Sequence, residues 1–341
     1  MITHYPIKTV VLHITTCCSH ECPFCYFVND SILRTHQKHS VLEKIIVEIA
    51  AAGAKEILFV GGDPASHPDV VELGVYAKSL GIKTAILSNT LHFQGNSKEQ
   101  VAFAFDTIET TIHAPYPDIH NLICNKDGAF ELAISNLKSF QDYKVSLGVV
   151  YNLAPNTYAA LSETINRVIE LDKVGIDHVI LQRLAPVGRA YKKSNWHLPI
   201  NAIDSVFEQV ESSIEKFEID IIFEDTFPLC VTPERFRHYI SPCSWGYDSC
   251  SLDMHGNVSR CCTDPRYELG NILETPLLKL WNTNPFLHDK RCAKLVPYKC
   301  RTCKQYEHCR GGCVLASEMN GCQGDPLLFN NREETTSYAN L

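Results

Sequence analysis

The chain has 341 residues, 45% of them apolar, enough to bury a large core in two domains or in one barrel-like domain. Its 31 Lys and Arg against 39 Asp and Glu leave a formal charge of -8 with no long block of one sign, which excludes a nucleic-acid binder built on a clustered basic face. The first residues form neither a signal nor a transit peptide and no apolar stretch reaches membrane-spanning length, so a cytoplasmic protein without membrane contact is expected.

Residues 9–15 are apolar and β-branched and predict a strand. The strand runs into a loop where Cys18, Cys22 and Cys25 stand in the spacing Cys-x3-Cys-x2-Cys. Three such thiolates can hold three corners of a four-iron, four-sulfur cube and leave the fourth iron open. The lesser alternative is a zinc site, with Cys17 or His20 as the fourth ligand. Residues 40–43, Ser-Val-Leu-Glu, read as a capping box. The helix they open carries Leu42, Ile45, Ile46, Ile49 and Ala50 on one face and ends at Gly53. The apolar run 57–60 predicts a buried strand that delivers Gly61-Gly62-Asp63-Pro64.

Helices are predicted over 68–80, 97–104, 129–140, 159–171 and 204–215, and strands over 83–87, 107–113, 144–151 and 178–184. Six strand-then-helix units in series predict an α/β fold with a parallel sheet, whose ligands sit at the C-terminal strand ends. Ser88 and Asn89, Asn152, and Gln182 and Arg183 fall at such ends, where they suit ribose hydroxyls and a carboxylate. His113 and His120, in the fourth loop, could meet substrate but read more readily as solvated residues.

Beyond about residue 226 periodicity fades. Of the sixteen cysteines, four lie at 17–25 and ten between Cys243 and Cys322. In a reducing compartment two such groups predict metal sites better than disulfides. Domains are expected at 1–225, a bridging segment at 226–240, a Cys-rich domain at 241–325 and a polar tail at 326–341.

The Cys-x3-Cys-x2-Cys loop, followed on the next strand by Gly-Gly-Asp-Pro, resembles the radical S-adenosylmethionine (radical SAM) superfamily. The resemblance implies a partial (β/α)6 TIM-like barrel that holds a [4Fe-4S] cluster on Cys18, Cys22 and Cys25, with SAM on the open iron. It places Gly61, Gly62, Asp63 and Pro64 at the methionine amino group, Phe24 and Tyr26 near adenine, and Ser88, Asn152 and Arg183 among the remaining contacts. Asp63 stands where the family usually has Glu.

The run Cys300-x2-Cys303-x5-Cys309-x3-Cys313, with Gly256-x4-Cys261 upstream, resembles the SPASM extension of these enzymes. That resemblance implies two auxiliary [4Fe-4S] clusters, a nearer one on Cys243, Cys250, Cys261 and Cys313 and an outer one on Cys300, Cys303, Cys309 and Cys322. Cys322 follows Cys313 more closely than is usual, which leaves the last ligand open between Cys322, Cys292 and an unligated iron. Cys17, Cys124 and Cys262 read as inert thiols. Cys230, just ahead of the Cys-rich region, could face the barrel mouth as a hydrogen-atom donor.

The implied function is abstraction of hydrogen from a peptide by a 5′-deoxyadenosyl radical, leading to oxidation, crosslinking or epimerisation. The alternative is the same chemistry on a sugar, cyclitol or other small metabolite. A third possibility is a Cys-rich electron carrier or zinc scaffold without SAM chemistry. Expected partners are the substrate, a flavodoxin- or ferredoxin-type electron donor and a separate leader-peptide-binding protein.

Overall fold

The structure is a computed structural model that describes residues 5–27, 33–89, 96–184, 187–190, 198–263, 268–319 and 324–328. Its frame is one ten-stranded sheet. The strands are β1 (Thr9–His13), β2 (Glu56–Val60), β3 (Lys83–Leu87), β4 (Thr107–Thr111), β5 (Ser146–Leu153), β6 (His178–Arg183), β7 (Asp220–Phe223), β8 (Ser249–Leu252), β9 (Asn257–Ser259) and β10 (Glu268–Asn271). Their order is β10-β9-β8-β1-β2-β3-β4-β5-β6-β7, and every pairing from β8 to β7 is parallel. The two outer edges do not meet, so the sheet is an open, partial barrel.

Helices α1 (His39–Ala51), α2 (Val70–Ser79), α3 (Lys98–Ala104), α4 (Pro117–Cys124), α5 (Ala129–Lys138), α6 (Leu161–Asn166) and α7 (Ile203–Phe217) connect the parallel strands. Alternate strand residues divide the interior. Val10, Leu12, Ile57 and Phe59 join Ile45, Ile49 and Leu73 in the layer between sheet and helices. Val11 and Val60 point the other way, into the barrel, where Trp245 packs on them together with Cys243, Cys261 and Cys262. The strand pleat thus decides which cysteines reach the barrel interior.

Three local features differ from the sequence expectation. Helix α1 starts one residue before Ser40, with Lys38 as its N-cap and no side-chain cap; Glu43 instead pairs with His39 at 3.4 Å. The reciprocal capping box occurs at α3, where Ser97 Oγ accepts from Gln100 N at 3.2 Å and Gln100 Oε1 accepts from Ser97 N at 2.8 Å. A seventh parallel strand, β7, follows α7.

The Cys-rich region is not detached from the barrel. Its strand β8 pairs in parallel with β1, Cys250 opposite Val10, so the sheet continues across the expected domain boundary. Short helices α8 (Leu277–Thr283), α9 (Pro285–Arg291), α10 (Tyr298–Arg301), α11 (Tyr306–Cys309) and α12 (Val314–Met319) carry the rest of this region. Among the described residues no helix is long and apolar enough to cross a membrane.

Candidate active site

The cysteine loop leaves β1 and is held by both backbone and side-chain hydrogen bonds. Thr16 Oγ1 donates to Leu33 O at 2.7 Å and accepts from Thr35 N at 2.8 Å. Gly62 N donates to Thr15 O at 2.8 Å, and Asp63 N donates to Cys17 O at 2.6 Å. Arg34 Nη1 reaches Cys18 O at 2.9 Å, and Arg189 N reaches Cys25 O at 2.9 Å. The glycines are there for closeness: a Cβ at Gly61 would stand 2.5 Å from Thr15 O, and one at Gly62 would stand 2.2 Å from Cys17 O.

Cys18, Cys22 and Cys25 open onto a cavity of about 210 Å³ at the C-terminal strand ends. Phe24, Tyr26, Gly61, Gly62, Ser88 and Asn152 share its wall. Asn89 Nδ2 donates to Cys18 Sγ at 3.6 Å. Asp63 and Pro64 are buried behind this wall rather than in it. Asp63 Oδ1 accepts from Ser88 Oγ at 2.5 Å, so this carboxylate ties the end of β2 to the end of β3.

Arg183 lines the cavity, but its guanidinium is already engaged. It donates to both carboxylate oxygens of Asp325, at 2.9 and 3.0 Å, and to Thr226 O at 2.9 Å. It also lies 4.9 Å over the Phe227 ring. Arg183 braces β6 against the C-terminal region, so it meets the cavity as an ion pair with Asp325.

His113 and His120 are buried, not solvated. Helix α4, with Pro117 in its first turn, brings His120 Nδ1 to 3.1 Å from the His113 amide that it accepts from. Burial pushes the His120 imidazole down to about 4 and holds His113 well below its usual range. His113 lines the cavity as a neutral ring, edge-on to Phe24 at 5.2 Å.

A second, smaller cavity of about 60 Å³ abuts the first. Arg183, Leu184, Glu224, Asp225, Trp245 and Thr263 line both. Cys243, Cys261 and Cys313 line the second, while Cys262 faces the first. Cys250 does not join them. Its register beside Val10 turns it to the helix side of the sheet, where it is fully buried in the main apolar core. Cys300, Cys303 and Cys309 form a third group near the surface. Cys230 is exposed and lies toward this third group rather than in the wall of the main cavity, where Cys262 joins Cys18, Cys22 and Cys25. Cys322 lies outside the described residues.

The donor sets fit iron–sulfur clusters. Backbone amides point at four of the sulfurs: His20 N at Cys18 Sγ (3.4 Å), Gln305 N at Cys303 Sγ (3.4 Å), Gly311 N at Cys309 Sγ (3.3 Å) and Ala316 N at Cys313 Sγ (3.4 Å). Such hydrogen bonds stabilise cluster thiolates and tune their potential. Taken as sets of three sulfurs they are also too open for one ion. Two thiolates on one zinc, at about 2.3 Å each, stand at most about 4.6 Å apart. Among the described residues, only His20–Cys22–Cys124 and His39–Asp69–Glu72 bring three ligand atoms within 4.8 Å of one another.

Glu224 and Asp225, at the end of β7, had no place in the sequence expectation because that strand was not foreseen. Burial pushes the Glu224 carboxyl up to about 7, and burial together with the Glu224 charge does the same to Asp225. Gln182 Nε2 donates to Glu224 Oε2. Glu224 binds its proton more tightly folded than unfolded, so the stability this supplies is full below the ordinary glutamate value of 4.5 and lost as pH rises through about 7. Glu224→Gln is therefore expected to gain about 3 kcal/mol relative to wild type between about pH 5 and about pH 8. Urea midpoints of both proteins across that range measure it, and parallel profiles would show a carboxylate ionised throughout.

A model of the radical SAM superfamily matches residues 12–168, and a model of the SPASM iron-sulfur cluster-binding domain matches residues 243–313. Fe-coproporphyrin III synthase of Methanosarcina barkeri is 22% identical over 368 residues, spanning 96% of this chain and 89% of its own. PqqA peptide cyclase of Gluconobacter oxydans is 23% identical over 344 residues, spanning 94% and 90%. SuiB of Streptococcus suis bound to S-adenosylmethionine has a similar fold, with a TM-score of 0.77 at 18% identity over 95% of this chain and 77% of that one. The fold of anSMEcpe with bound AdoMet also matches, with a TM-score of 0.68 at 16% identity over 98% and 97%. With the loop, the glycine cradle and the cysteine groups already in place, these matches show that the chain belongs to the radical SAM superfamily, an S-adenosylmethionine-dependent iron–sulfur enzyme with a SPASM domain at its C-terminus.

Proposed function

We propose that this enzyme matures a peptide by oxidising or crosslinking it. The observation that carries the proposal is the shared wall between the cavity of Cys18, Cys22 and Cys25 and the cavity of Cys243, Cys261 and Cys313. When bound, SAM on the reduced cluster supplies a 5′-deoxyadenosyl radical that removes hydrogen from an unactivated carbon. The protein's part is to position and to exclude water. Gly61 and Gly62 present backbone to the amino group of SAM, Ser88 and Asn152 face the ribose, and Phe24 and Tyr26 flank the adenine. Glu224 and Asp225, held near neutrality, accept the proton that an oxidised substrate releases.

Two auxiliary clusters complete the reading, a nearer one on Cys243, Cys261 and Cys313 and an outer one built on Cys300, Cys303 and Cys309. Residues 1–225 form the core, 226–240 the bridge and 241–325 the auxiliary domain, with a polar tail over 326–341. A flavodoxin- or ferredoxin-type protein supplies electrons in the cytoplasm, and a separate protein presents the peptide leader. Epimerisation, which needs a thiol facing the substrate, would use Cys262.

Peptide substrates are supported by relatives named PqqA peptide cyclase and by similar folds solved with peptides, SuiB with precursor peptide SuiA and anSMEcpe with a Cp18Cys peptide. The relative named Fe-coproporphyrin III synthase favours a second reading, a small metabolite. The test is an anoxic assay with SAM and dithionite. Peptides encoded by short reading frames beside the gene should stimulate 5′-deoxyadenosine and leave lighter by two hydrogens, and Cys18/Cys22/Cys25→Ala should yield neither. Turnover of an iron porphyrin, with every such peptide unchanged, would move the enzyme to the second reading.

A further inference from the structure

We propose that Cys230 is the fourth thiolate of the outer iron–sulfur site, completing the set Cys300, Cys303 and Cys309. This rests on the reading that the outer set holds a cluster. It adds a ligand from the bridging segment, outside the matched SPASM residues 243–313.

The geometry starts with a turn. Val231 N and Thr232 Oγ1 both donate to Pro228 O, at 3.1 Å each, which folds residues 228–232 back on themselves. Leu229 and Thr232 are buried and pin the turn, while Cys230 between them is left at the surface. The turn packs on the loop of the third cysteine group: a Cβ added to Gly312 would stand 2.8 Å from Pro228 Cγ. On the other side of the same loop, a Cβ at Gly311 would stand 3.7 Å from Cys300 Cβ.

The turn therefore brings Cys230 to the loop of the third cysteine group, which packs on Pro228 through Gly312 and on Cys300 through Gly311. Cys230 interacts electrostatically with Cys309 and Cys303, and Cys300 with Cys309, Cys230 and Cys303. Lys299 stands beside both Cys230 and Cys300 and offsets the negative charge of a four-thiolate site. Amides from Gln305 and Gly311 already face Cys303 and Cys309. The set is spread more widely than one zinc allows, since no three of these sulfurs lie within 4.8 Å of one another among the described residues. Ligation by Cys230 would also fix the segment that follows Glu224 and Asp225, so that loading the outer site steadies the wall of the main cavity.

The test uses wild-type holoprotein under anoxic conditions, labelled with iodoacetamide and read by peptide mass spectrometry beside an iron assay. Cys292, also exposed, is the internal reference, and unchanged iron in Cys292→Ala establishes that it is not itself a ligand. With about 12 irons per chain, Cys230 should label at least ten times more slowly than Cys292, and the two rates should converge once iron is chelated. Equal labelling at full iron would overturn the ligand assignment alone. Equal labelling with only about 8 irons would overturn the outer cluster itself. In a Cys18/Cys22/Cys25→Ala background, adding Cys230→Ala should lower iron from about 8 to about 4 per chain, whereas adding Cys322→Ala should not. If the Cys230 variant does not fold, the labelling of wild type decides.

Discussion

Asp325→Ala is expected to cost about 3 to 5 kcal/mol of stability, the range for removing one partner of a buried ion pair. Arg183 is largely buried and the Asp325 side chain is 0% exposed, so neither charge can fall back on water. Burial disfavours the charged guanidinium, but the Asp325 carboxylate outweighs burial and holds Arg183 more firmly charged than usual. The same carboxylate accepts from Cys313 N at 2.8 Å and Leu327 N at 3.0 Å. Its loss would thus strand a buried cation and two amides, and release the backbone beside a cysteine of the second cavity. Asp325→Asn keeps the acceptor without the charge and should fall between. Arg183→Met with Asp325→Leu should cost far less than either single change, because an apolar pair carries no unpaired charge. Urea midpoints of the anoxically prepared proteins measure this. A loss under about 1 kcal/mol for Asp325→Ala would show that water reaches the pair.

The same pair marks the limit of what the chain shows when read as a string. Cys18, Cys22, Cys25 and the Gly-Gly-Asp-Pro turn were legible because their chemistry depends on neighbours a few residues away. Arg183 was legible as the end of a strand, but its partner lies 142 positions on and nothing local announces it. Cys250 shows the same limit: the resemblance implied a place beside Cys243 and Cys261, while the parallel register of β8 on β1 turns it to the opposite face. Strand β7 escaped because four residues with alternate ones exposed make a weak pattern, and Glu224 and Asp225 were lost with it. Helix α4 did carry a start signal, Pro117 followed by Asp118, that could have placed His120 in a helix.

Gly62→Ala is expected to lower SAM cleavage on the order of 100-fold, the cost of displacing a catalytic group by about 1 Å. The new Cβ would lie 2.2 Å from Cys17 O, 2.6 Å from Cys17 C and 2.8 Å from Thr16 O, all backbone atoms that no side-chain rotation can move. The hydrogen bonds from Gly62 N to Thr15 O and from Asp63 N to Cys17 O hold the two strands of chain at that separation. Relief must come from moving the loop that carries Cys18, and with it the spacing of three thiolates. Iron should fall by about 4 per chain while the auxiliary sites keep theirs, since a single cluster has lost its frame. Gly53→Ala is the control: Gly53 has a φ of +80 but nothing within 4 Å of an added Cβ. That substitution should cost about 1 kcal/mol of backbone strain and leave iron and 5′-deoxyadenosine at wild-type levels. Full iron and undiminished cleavage in Gly62→Ala would mean that the loop can retreat from β2 without losing its grip on the cluster. The cradle would then be a matter of packing rather than of chemistry.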